Sequence, residues 1–105
     1  MDKHRLFLQA LHNKKKVKVK INSKEKGIIE RVCVPFDFGP SRRAKDNKKR
    51  YHFCDLDSPD GIHVLSILPE QLISIELLDE GFEPADYITW KKIMWFIPRD
   101  WGEFS

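Results

Sequence analysis

A chain of 105 residues, 41% apolar and 33% charged, suits one domain around one core and is too apolar to be disordered. Its charge is divided: residues 1–50 carry 16 Lys and Arg against 5 Asp and Glu, net +11, while residues 51–105 carry 3 against 11, net −8. Ile93 to Ile97, the longest apolar run near the end, is too short to span a bilayer. The opening Met-Asp-Lys-His-Arg has no apolar run of the signal-peptide kind, and two cysteines, Cys33 and Cys54, make no disulfide scaffold. The expectation is a soluble cytoplasmic protein with reduced thiols, no membrane contact and no cofactor.

Residues 2–12 have helical spacing, with Leu6/Ala10 and Phe7/Leu11 on adjacent i/i+4 rows, Asp2 as cap and Asn13 as left-handed exit. The period then changes to two. Lys16-Val17-Lys18-Val19-Lys20-Ile21 alternates ammonium groups with apolar side chains, the pattern of a half-buried strand. Residues 22–27 form the turn, with Gly27 free to take positive φ. A second strand follows with Ile28, Val32, Val34 and Phe36 inward and Glu30 an exception. Asp37-Phe38-Gly39-Pro40 breaks the strand pattern, and residues 39–50 read as a basic loop. Tyr51–Leu56 and Ile62–Leu68 are strands three and four, joined by the turn signal Ser58-Pro59-Asp60-Gly61. Pro69-Glu70-Gln71 suits one 3₁₀ turn before a fifth strand, Leu72–Leu78, with Ile73, Ile75 and Leu77 inward. The segment from Gly81 holds 7 of the 12 aromatic residues, and Pro84-Ala85-Asp86 suits a short helix opening. The expected fold is mainly β: one domain over 1–105, a small five-stranded antiparallel SH3/Sm-like barrel (core about 6–80) with an N-terminal helix and an aromatic-rich C-terminal tail over 81–105.

The order of elements over residues 6–87 resembles the WYL domain, a bacterial regulatory module with an Sm-like barrel. A short helix leads into Val17-Lys18-Val19-Lys20-Ile21-Asn22, and Arg31-Val32-Cys33-Val34-Pro35 is similar to the family's R-x-x-x-P strand. Tyr51-His52-Phe53 stands where the family's Trp-Tyr-Leu triplet would be, and residues 72–82 look like its closing strand and exit. The resemblance implies a ligand-binding module in transcriptional regulation. Ile62-His63-Val64-Leu65-Ser66-Ile67 departs from the family in lacking the arginines usual on the strand after the triplet, and the dozen residues before the first strand leave no room for the family's helix-turn-helix.

Four candidate sites emerge. A basic cluster comprises Lys14, Lys15, Lys16, Lys18 and Lys20 with Arg42, Arg43, Lys45, Lys48, Lys49 and Arg50; with Tyr51 and His52 stacking on an unpaired base, it suits single-stranded nucleic acid or a nucleotide-like anion. Its plain alternative is a solubilising, edge-guarding row of lysines. The aromatics Trp90, Trp95, Phe96 and Trp101, with Phe104, either close the barrel in cis or form an interface with a second copy or another protein. Cys33, Cys54, His52 and His63 lack closed metal-ligand spacing. Asp55, Asp57, Asp60 and His63 give no assembled nucleophile and base, so a non-catalytic module is expected.

Overall fold

α1 (Lys3–Asn13) starts at a satisfied cap: the Asp2 carboxylate accepts from the backbone N–H groups of His4 and Arg5 at 3.0 and 3.4 Å. It exits one residue later than the sequence suggests. Lys14, not Asn13, takes the left-handed conformation (φ 53°), its N–H turned back to the carbonyls of Ala10 and Leu11. The computed structural model describes residues 2–41, 44–90 and 93–105. Arg42 and Arg43 of the expected basic cluster lie outside the described residues.

Five antiparallel strands follow: β1 (Lys15–Ser23), β2 (Gly27–Pro40), β3 (Lys49–Asp55), β4 (His63–Ile67) and β5 (Leu72–Gly81). They form one sheet in the order β4-β3-β2-β1-β5. Among the described residues no ladder joins β4 to β5, so the architecture shown is a five-stranded antiparallel sheet with β4 and β5 as its edges. Gly27 closes the β1–β2 hairpin at φ 74°, as the turn requires. The connection between β4 and β5 is the expected 3₁₀ turn, Pro69–Gln71. Gln71 fixes it by accepting from Leu68 N–H at 2.9 Å and donating to Asn22 O at 3.3 Å. Pro84–Asp86 and Gly102–Phe104 are single 3₁₀ turns. No helix among the described residues is long and apolar enough to cross a membrane.

Register settles which side chains face the helix. Val17, Val19 and Ile21 on β1 pair with Cys33, Arg31 and Ile29 on β2, so the first half of β2 has the opposite phase to the one expected. Ile28, Glu30 and Val32 lie on the lysine face, which makes Glu30 a regular member of its face; Ile28 is 66% exposed. On β5 a register shift beside Lys20/Ile21 puts Leu72 against Ile21, leaving Ile73 exposed where the alternation placed it inward. Another shift, between Pro35 and Asp37, lets β2 run on to Pro40, paired with Lys49, through the segment expected to break it. α1 packs on the face carrying Val17 and Val19. Phe7 meets Phe53 and Tyr51 edge-on, with centroids 5.4 and 4.9 Å apart, and all of these are core residues.

Cys33 and Cys54 are both buried but sit opposite Asp55 and Val34, at positions of opposite parity, so their side chains leave opposite faces of the sheet. Burial, joined by the nearby Asp55 charge, raises both thiol pKa values. Two outcomes follow. A colorimetric thiol titration at mildly alkaline pH should find no fast-reacting cysteine in the folded protein and both in denaturant. Asp2→Ala should lower stability by about 1 kcal/mol in urea unfolding, the usual worth of such a cap.

Candidate ligand-binding groove

The lysine row is neutralised across the sheet. Lys16 Nζ meets Glu80 at 2.7 Å, which raises the lysine's pKa, while Lys18 and Lys20 share Glu30 at 3.5 and 4.0 Å. Glu76 of β5 stands opposite Lys18 in the ladder. Lys15 donates to Asp79 O at 3.0 Å, and Lys14 serves as the helix exit. Beyond the β2–β3 turn, Arg50 grips Asp46 through two bonds of 2.9 Å, holding that carboxyl well below its ordinary pKa. Lys45, Lys48 and Lys49 are exposed; the Lys48 backbone N–H donates to Asp46 at 3.0 Å and its charge helps hold that carboxyl down. Among the described residues, most of the positive side chains named in the sequence are thus engaged one by one with separate acceptors, while Lys45, Lys48 and Lys49 keep their ammonium groups exposed.

Tyr51 is not a stacking platform. It is 5% exposed, and its hydroxyl meets His4 Nδ1 at 2.9 Å. Trp101 is likewise a core residue, 3% exposed, with its indole N–H donating to Leu11 O at 2.9 Å, so it fastens the C-terminal segment to the end of α1. Asp55 accepts from Asp57 N–H and lies 3.4 Å from Arg31; Asp60 pairs with Lys26 and His63 with Gly61 O. Among the described residues no group of three His, Cys, Asp or Glu is placed to hold a metal ion.

Residues from the two separate sequence sites do meet elsewhere. His52, expected with the basic cluster, and Trp90, Trp95 and Phe96, expected at an interface, line one groove of about 370 Å³ together with Phe36 and Ser66. It lies between the C-terminal segment and the sheet face opposite α1. Phe36 sits 5.9 Å from both Trp90 and Trp95, and the two indoles are 6.1 Å apart. Phe96 is 55% and Trp90 41% exposed, so the aromatic walls are open to solvent. His52 stands on β3 with both ring nitrogens engaged: Nε2 is 2.9 Å from Gly39 O, an acceptor only, and Nδ1 is 2.7 Å from Ser66 Oγ. In the neutral tautomer that suits Gly39 O, the ring donates through Nε2 and accepts the Ser66 hydroxyl proton at Nδ1, which leaves the Ser66 lone pairs for a donor in the groove. A second hollow of about 520 Å³ shares Phe96 and Pro40 with the first and reaches His4, Phe38 and Lys49.

One buried ion pair builds this site, and the sequence reading missed it. Asp37, 5% exposed, accepts from Phe96 N–H at 2.9 Å, Ile97 N–H at 3.0 Å and Arg99 Nη2 at 3.2 Å. Arg99 also donates to Ile97 O and Phe36 O, and its guanidinium lies 4.0 Å from the Trp95 ring centroid and 4.4 Å from that of Trp101. Burial lowers the Arg99 pKa to about 10 against the pull of Asp37, so it remains protonated at neutral pH. The available signal was an arginine between two tryptophans in Trp95-Phe96-Ile97-Pro98-Arg99-Asp100-Trp101. No family model, curated protein or solved structure matches this chain.

Removing Arg99 strands a buried carboxylate. Arg99→Met should cost about 3–5 kcal/mol in denaturant unfolding. It should also shift tryptophan emission to longer wavelength, as Trp95 loses its cover.

Proposed function

We propose that this chain is a non-catalytic regulatory binding module that takes up a nucleotide-like anion, single-stranded nucleic acid included, in the aromatic groove. The observation that carries the reading is the convergence of His52, Trp90, Trp95 and Phe96 on one open cavity. A planar base has π faces to stack on there and the Ser66 lone pairs to receive an amino proton. Lys49, on the strand that also carries His52, lines the adjoining hollow, and Lys45 and Lys48 precede it; these are the charges left for phosphate. The WYL resemblance supports the regulatory role. The site differs from the patch read in the sequence, since the β1 lysines are matched by Glu30, Glu76 and Glu80.

A second reading, a protein-protein adaptor, has one specific observation in its favour: the apolar side chains Trp90, Met94 and Phe96 are all more than two-fifths exposed.

Titration of tryptophan fluorescence and anisotropy with short single-stranded oligonucleotides tests the first reading. Binding should quench emission. Trp90→Ala should weaken it at least tenfold, and three phosphate contacts predict a log–log salt slope of roughly −2. Absence of binding at low salt, or binding that ignores both salt and Trp90→Ala, overturns it.

A further inference from the structure

The two edges of the sheet are treated differently. On β5, ammonium groups sit on the backbone: Lys3 donates to Leu72 O at 2.7 Å and Lys15 to Asp79 O at 3.0 Å. The same strand carries Glu76, Asp79 and Glu80. Lysines and charges of this kind discourage another strand from pairing. β4 has none of this among the described residues. His63-Val64-Leu65-Ser66-Ile67 contains no charged Lys, Arg, Asp or Glu, no Pro and no bulge in its ladder with β3. Ile62 and Val64, on one face, are 65% and 55% exposed. An uncharged, unbulged edge beside an exposed apolar pair is the arrangement that proteins ordinarily avoid unless something pairs with it.

We propose that β4 pairs antiparallel with β4 of a second copy of this chain, joining two five-stranded sheets into one of ten strands. Self-pairing fits the chemistry of this strand. Centred on Leu65, all five residues find a partner: Leu65 faces its own equivalent, Val64 faces Ser66 of the second copy and His63 faces Ile67. No like charges are opposed, and nothing on β4 selects a charged partner. The two Val64 side chains become diagonal neighbours on one face, within reach of each other. The two-fold axis of such a pair runs normal to the sheet, so both aromatic grooves open on the same side and flank it. Val64 is a wall of the groove, so pairing also covers that wall's exposed flank. The inference does not depend on the nature of the ligand.

Sedimentation equilibrium of the intact protein from micromolar to near-millimolar concentration gives the test. The expected species has twice the 12.4 kDa chain mass, and Val64→Lys, a change at an exposed position, should return it to a folded monomer by circular dichroism. Hydrogen exchange of residues 63–67 supplies an independent reading: their amides should become slower-exchanging as protein concentration rises, with β5 unchanged. This second measurement decides the matter should Val64→Lys fail to fold. A monomer throughout the range overturns the proposal. So does a dimer that survives both Val64→Lys and Ile62→Lys, which would place the interface elsewhere. Concentration-independent exchange on β4, or protection gained only with an added foreign peptide, overturns it as well.

Discussion

The pairing of Asp37 with Arg99 is the constraint on which the rest of the molecule rests. It joins a strand in the middle of the sheet to a segment 62 residues away, at a largely buried site beside the groove. A buried ion pair is favourable only when its remaining hydrogen-bonding capacity is met. Here the carboxylate takes three donors, and the guanidinium has two carbonyls and two indole rings around it. Because two of the three donors to Asp37 are backbone N–H groups of Phe96 and Ile97, the pair fixes the path of the chain as well as its position.

From that clamp follows the use of both faces of the sheet. One face is covered by α1 through Phe7 and Leu11. On the other, Trp90 and Trp95 pack against Phe36, and the run of rings continues through Trp101 to Phe82 beside the end of α1, each step within 6.1 Å. The cover stops at Phe36, and the groove is what remains open beyond it. The charge division of the sequence is resolved by the same topology. β1 lies between β2 and β5, so its lysines meet Glu30 on one side and Glu76 and Glu80 on the other. Such exposed pairs contribute little to stability, on the order of 0–1 kcal/mol each. Their consequence is to remove the β1 row from any large positive field.

Local periodicity made much of the fold legible. The Asp2 cap, the lysine alternation of β1, the Gly27 turn and the Pro69–Gln71 connection are written in neighbouring residues, where i+2 and i+4 rules operate. Two departures on the strands share one physical reason: a strand's facing inverts whenever a residue is inserted. The shifts beside Ile21 and Asp37 have no composition signature, so simple alternation points Ile73 inward and makes a break of the 37–40 segment. Glu30 was the visible clue to the phase of β2, since a carboxylate in the inward row was the odd member. The groove was partly legible as residue types and not as a place. His52 and Trp90 stand out in the sequence for different purposes, because only tertiary pairing brings positions 52 and 90 together. Tyr51 and Trp101 stand out for their chemistry and are instead absorbed by the core.

The groove's outer wall argues for use rather than cover. A Cβ built on Gly39 would lie 2.3 Å from Phe96 Cδ2 and 2.6 Å from Cγ, so the ring rides directly on a glycine backbone. At its own backbone Phe96 is held by Asp37. Two contacts thus fix an aromatic ring that nevertheless leaves 55% of its surface in water, although burying a phenylalanine side chain is worth about 1.5–3 kcal/mol. A tail that served only to shield the sheet would turn this ring inward, toward Phe36 and Trp95. Held outward between two hollows and shared by both, it forms a fixed ridge, and a ligand that fills either hollow must touch it.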